Sequence, residues 1–182
     1  MENRSEINKD LPGGRHIKDF LKSFAIILVV VAFSVGMCFA KTVPEFEKMK
    51  SLVGEWKGTS MDKKPATVTY TLVSDNSALM ERLAVGGESE MVTMYYPDGD
   101  HLMMTHYCSA HNQPRMRSQT VSAEIKNITF DLVDVTNLSS PDAGHMKKLV
   151  VTFADRDHFT QKWTWTQRGK EKTEVIDFER MK

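Results

Sequence analysis

The sequence predicts an all-β protein, a closed antiparallel meander barrel of about ten strands with a short helix in front of the first. Three observations predict it. From residue 53 onward, apolar and polar residues alternate with a period of two in about ten runs. Short turn signals separate the runs, Gly86-Gly87 and Pro97-Asp98-Gly99 being the strongest. No second helical stretch exists to cross over between parallel strands, so consecutive strands pair antiparallel. Ten strands in a flat sheet would leave two open edges, and closure into a barrel removes them.

Residues 1–40 read as a unit apart from the rest. Arg15, Lys18 and Lys22 precede "FAIILVVVAFSVGMCFA" at 24–40, which has no charge and ends Cys38-Phe39-Ala40. A basic segment, an apolar core and a small-x-small end make a secretory signal peptide, cleaved after Ala40. Uncleaved, the run is at the short limit for a membrane anchor. Met37 stands where a lipoprotein signal would carry a small residue before Cys38. The expectation is therefore an exported protein, periplasmic or extracellular, with a barrel domain at 41–182. Any membrane contact would run through 24–40.

The helix is expected over about 44–51. Pro44 suits a first turn, Phe46 and Met49 fall at helical spacing with Leu52-Val53, and Gly54 follows. Strands are then expected at about 53–59, 66–73, 78–85, 89–96, 100–108, 115–121, 127–133, 147–153, 158–166 and 172–180. Asp75-Asn76, Asp155-Arg156-Asp157 and Arg168-Gly169-Lys170 serve as further tight turns. Two links are longer, 109–114 and 134–146. The second carries Asn137-Leu138-Ser139, which fits the glycosylation acceptor pattern.

Composition narrows the partners. The whole chain has 24 basic and 24 acidic residues; five and four of these lie in 1–40, leaving 19 and 20 in 41–182. Without a basic surplus, a nucleic-acid partner is not expected. Cys108 is the one cysteine of 41–182, so no internal disulfide can form and the core alone must hold the domain.

Leu52-Val53-Gly54-Glu55-Trp56 adds a more specific signal. A short helix, Gly-x-Trp on the first strand and a meandering barrel resemble the calycins, which include lipocalins, fatty-acid-binding proteins and nitrobindin-like barrels. The resemblance implies that Trp56 packs across the closed end with a basic residue of the last strand, here Arg180, over it. Such a contact is a cation–π pair, and Gly54 would let the chain pass close by. The chain departs from each branch. It has no Thr-Asp-Tyr turn, no room at 60–65 for a helical lid, no Arg-x-Tyr at its end and no histidine after His158. It is also similar to exported lipocalin-like bacterial proteins of unassigned function with a His-Tyr-Cys…Asn-Gln-Pro stretch. That likeness implies no activity.

That stretch is "THYCSAHNQP", residues 105–114. On its strand Leu102, Met104, His106 and Cys108 share one face, taken as the interior. The expected site is a barrel cavity for a small, mostly apolar ligand, with His106, Cys108, Asn112, Gln113 and Arg115 as polar groups near the mouth. Trp163 joins Met80, Met91, Met94, Tyr95, Phe159 and Trp165 as wall. Three other readings remain. Cys108 could be a thiol nucleophile activated by His106, with Glu81 or Asp98 as the acidic orienter. His106, Cys108 and His111 could hold zinc, or a histidine could hold haem, although no cofactor is required by the sequence. Or His106 and Asn112 could simply satisfy backbone groups of the turn, with Cys108 a small hydrophobe. No Gly-rich phosphate loop, Gly-x-Ser-x-Gly or His-Glu-x-x-His is present, and an enzyme is not indicated. Nothing in the sequence fixes an oligomeric state.

Overall fold

The computed structural model describes residues 42–119 and 124–182. The expected signal segment lies outside the described residues. One helix, α1 (Pro44–Lys50), precedes ten strands: β1 (Gly54–Ser60), β2 (Pro65–Val73), β3 (Ala78–Val85), β4 (Met91–Asp98), β5 (His101–Tyr107), β6 (Gln113–Ser118), β7 (Asn127–Thr136), β8 (His145–Phe153), β9 (His158–Gln167) and β10 (Lys170–Arg180). Every strand pairs antiparallel with its neighbours in sequence, and β1 pairs with β10 to close the barrel. The expected fold class is what the chain adopts.

Boundaries moved where the links were expected to be long. β6 starts at Gln113 and β8 at His145, so the two links shrink to 108–112 and 137–144. Pro114 is tolerated inside β6 because the β5–β6 ladder reaches only from Met103↔Arg117 to Thr105↔Arg115. Beyond that ladder its missing N–H costs no bond to β5. Irregularities at Arg115/Met116 and at Met146/Lys148 absorb the extra residues of β7 and β8.

The period-two pattern becomes an inside and an outside. Val68 and Tyr70 on β2, Leu79 and Leu83 on β3, Leu102 and Met104 on β5, Ile128 and Phe130 on β7, and Phe159 and Trp163 on β9 are all buried in one core. Met80 and Met94, expected in the wall, instead face each other across β3 and β4 in the opposite phase from buried Leu79, Glu81, Thr93 and Tyr95. The alternation of a strand allows no other placement once its neighbours point inward.

One end of the barrel is plugged. Val43, Phe46, Met49 and Leu52 of the α1 segment are buried in the core. Trp56 is 1% exposed, donates its indole N–H to Leu52 O at 2.7 Å and meets Phe159 edge-on at 4.7 Å. The Arg180 guanidinium lies 4.0 Å from the Trp56 ring centroid. It also donates to Val53 O at 2.9 Å and Ser51 O at 2.8 Å, carbonyls left over where α1 ends. Gly54 has φ +125, and a Cβ there would stand 3.2 Å from Arg180 Nη1. The opposite end, ringed by the β1–β2, β3–β4, β5–β6, β7–β8 and β9–β10 turns, has no such plug among the described residues.

Candidate functional site

The unplugged end opens into a cavity of about 320 Å³. Leu83, Val85, Met91, Met146, Trp163, Trp165 and Ile176 form its apolar wall, and His106 lies among them. Its rim is charged and mixed, with Asp62, Glu88 and Glu174 against Lys64 and Lys172. Lys64 is bonded to Glu88 at 2.9 Å, and Lys172 lies 4.0 Å from Asp62.

Alternation on β5 turns His106 inward behind Leu102 and Met104, and the ring is 1% exposed. It packs at 4.7 Å against Trp163. Its Nδ1 lies 2.9 Å from Thr93 Oγ1. Its Nε2 is buried and has no hydrogen-bond partner in the described structure. Burial holds the ring's pKa down at about 4, so it is neutral at ordinary pH.

Beneath His106 lies a buried polar cluster assembled from four strands. Glu81, on β3 between Leu79 and Leu83, is fully buried. Its Oε2 accepts hydrogen bonds from Tyr70 OH at 2.7 Å, Tyr95 OH at 2.9 Å and Gln161 Nε2 at 2.8 Å. Its Oε1 accepts from Thr93 Oγ1 at 3.3 Å. Gln161 Nε2 also donates to Tyr70 OH at 2.7 Å, and Trp163 Nε1 donates to Gln161 Oε1 at 2.9 Å. Every member of this network except His106 Nε2 is satisfied, as a buried network must be if it is not to cost stability. Burial pushes the Glu81 carboxyl pKa up, and the four donated hydrogen bonds oppose that. Burial, followed by the Glu81 charge, raises Tyr70 and Tyr95 well above the ordinary phenol range.

The rest of the 105–114 stretch does different work. Asn112 is buried, but its Nδ2 donates to Gly144 O at 2.9 Å. Asn137 Nδ2 donates to His111 O at 2.5 Å, and Thr136 Oγ1 to Gln113 Oε1 at 3.0 Å. The β5–β6 and β7–β8 turns are thereby tied together. Gly144 packs against the cavity wall itself, since a Cβ there would fall 2.0 Å from Trp165 Cζ2. Asn112 thus braces the loop that backs Trp165. The Asn137 side chain of the acceptor sequence is engaged in the same brace.

Arg115 does not stand beside His106. Pro114 and Met116 point inward, so Arg115 is exposed on the outer face and makes a two-pronged ion pair with Asp134, Nε to Oδ1 at 2.7 Å and Nη2 to Oδ2. That carboxylate raises the Arg115 pKa and is itself lowered by Arg115. Gln113 shares the outward phase. Cys108 falls just past the end of β5, in the turn. Its N–H donates to Asn112 O at 3.1 Å, and its carbonyl accepts from His111 N–H at 3.0 Å. The hydrogen bond of His106 goes to Thr93, not to Cys108. The acidic residue that reaches His106 is Glu81, through Thr93; Asp98 lies at the β4–β5 turn of the other end. His111 is exposed in the turn with φ 63, away from the interior face of His106. Among the described residues no three His, Cys, Asp or Glu side chains gather closely enough to hold a metal ion. Of the described histidines, His106 alone lines the cavity.

The sequence points to His106, Trp163 and Trp165 but not to Tyr70, Thr93 or Gln161 as a buried polar cluster. The signal was Glu81 in phase with Leu79 and Leu83, an acidic residue on an otherwise apolar face.

No protein-family model matches this sequence, and no curated protein does. Among solved structures, the chain is similar to a Nostoc punctiforme protein of unknown function from the DUF3598 family, at 11% identity and a TM-score of 0.42. The match covers 73% of this chain and 49% of that protein's length.

Proposed function

We propose that this chain is an exported, lipocalin-like member of the calycin superfamily that binds a small, mostly apolar molecule in the cavity at the unplugged end. One observation carries the reading. His106 is among the residues lining a cavity with apolar walls, and its Nε2 is buried without a partner. An unpaired buried polar group costs roughly 1–3 kcal/mol, and a ligand that pairs with it recovers that cost. Apolar walls with a few convergent polar groups are the usual form of a small-molecule site, and the volume is near the low end of roughly 300–1,000 Å³ typical of such pockets. Export rests on residues 15–40 of the sequence. The superfamily assignment is supported by the Gly54, Trp56 and Arg180 plug.

The test uses protein purified from its export route without refolding, in native and His106→Leu forms. Its native mass, absorption spectrum and metal content are recorded together. A small adduct lost on denaturation, and weakened in His106→Leu, is the expected result. A Soret band or stoichiometric metal would move the reading to a cofactor site. A clean mass, together with no uptake of an apolar fluorophore, would refute it.

A further inference from the structure

The hydrogen-bond chain beneath the cavity fixes which atoms of a ligand can be recognised. We infer that Glu81 and Thr93 hold His106 as the tautomer with its proton on Nδ1, so that the cavity selects a neutral apolar molecule carrying a hydrogen-bond donor, such as a phenol, alcohol or N–H heterocycle. This rests on the cavity reading above and specifies its ligand class.

The argument is one of proton counting. The Glu81 carboxylate accepts four hydrogen bonds, three on Oε2 and one on Oε1. A carboxylate with four donors aimed at it has its acceptor capacity filled in the ionised form. The Oε1 donor is the Thr93 hydroxyl, which has one proton and gives it to Glu81. Thr93 Oγ1 then offers only lone pairs to His106 Nδ1, 2.9 Å away. The bond between them therefore requires an Nδ1–H. A neutral imidazole has a single ring proton, so Nε2 is bare. That atom is the buried one without a partner, and its ring lies on the cavity wall. A ligand must bring the proton. A carboxylate cannot, and it would meet a lone pair, a buried anion beyond it and a rim with three acidic and two basic residues. Thr93 acts through His106 and is a positioning residue.

The experiment compares 4-butylphenol, 4-butylanisole and 4-butylbenzoate at pH 7 by calorimetry, on the native protein and on Thr93→Val and Thr93→Ser. The His106 ring nitrogens are read by ¹⁵N NMR on the unliganded native protein. The expected result is an Nδ1–H ring, with the phenol bound about tenfold more tightly than the anisole and no benzoate binding. The phenol preference should collapse in Thr93→Val and return in Thr93→Ser. An Nε2–H ring overturns the inference whether or not any probe binds. Equal affinity for phenol and anisole also overturns it, while leaving the cavity function standing. No binding by any of the three overturns the cavity function, and this ligand class with it.

Discussion

His106 should make the barrel's stability depend on pH in a defined window. The ring is 1% exposed, and burial lowers its pKa from 6.5 to about 4. In the unfolded chain it regains the ordinary value. The folded state thus binds the proton less readily, and the stability the neutral ring contributes is fully present above pH 6.5 and is lost as pH falls toward 4. A shift of this size, at about 1.4 kcal/mol per pH unit, corresponds to roughly 3 kcal/mol across the window. Glu81 contributes in the opposite sense. Its folded pKa is raised, so its contribution is present below its ordinary value of 4.5 and is lost as pH rises through the folded value. Subtraction separates the two. Urea unfolding of the native protein and of His106→Phe, which keeps a ring against Trp163, is measured at several pH values between 7 and 4. Glu81 remains in both proteins. The native midpoint should fall relative to the variant by about 1–3 M urea, taking a slope of roughly 1–3 kcal/mol per molar. Parallel midpoints in the two proteins would refute the claim that His106 is buried and neutral.

Other outcomes follow from local geometry. Gly144→Ala should destabilise the fold by about 1–3 kcal/mol and shift the Trp165 emission, because the new methyl would fall 2.0 Å from the indole; chemical denaturation and fluorescence check both. Arg180→Ala should cost about 2 kcal/mol by removing the stack on Trp56 and the bonds to Val53 O and Ser51 O, read as a lower thermal midpoint. Arg115→Ala should leave stability nearly unchanged, since Arg115 and Asp134 form a solvent-exposed pair. The same variant should leave uptake of an apolar fluorophore unaltered, and a loss of uptake would show that the outward placement of Arg115 is wrong.

Much of the site was legible in part. Residues on one strand can be sorted into two faces from alternation alone, which groups His106 with Leu102 and Met104. Arg115 was misplaced for want of the same rule, since Met116 next to it must face inward. Asn112 was expected to touch a ligand, but its partner is a carbonyl 32 residues away. Nothing near Asn112 in the sequence marks Gly144 as that partner.

The sequence by itself determined the ten strands, their antiparallel order, the Gly54-x-Trp56 start and the turns that permit closure. These follow from local rules, a period of two and the backbone angles of Gly, Pro, Asn and Asp. Tertiary structure alone decided what meets inside. Gln161 reaches Tyr70 across 91 residues and Glu81 across 80, and Thr93 joins Glu81 to His106 only because β4 lies between β3 and β5 in a particular register. Alternation states which side chains share a face. The register and the closure of the barrel set how far along the axis each one stands, and that height separates the residues that line the cavity from the buried polar cluster and packed core.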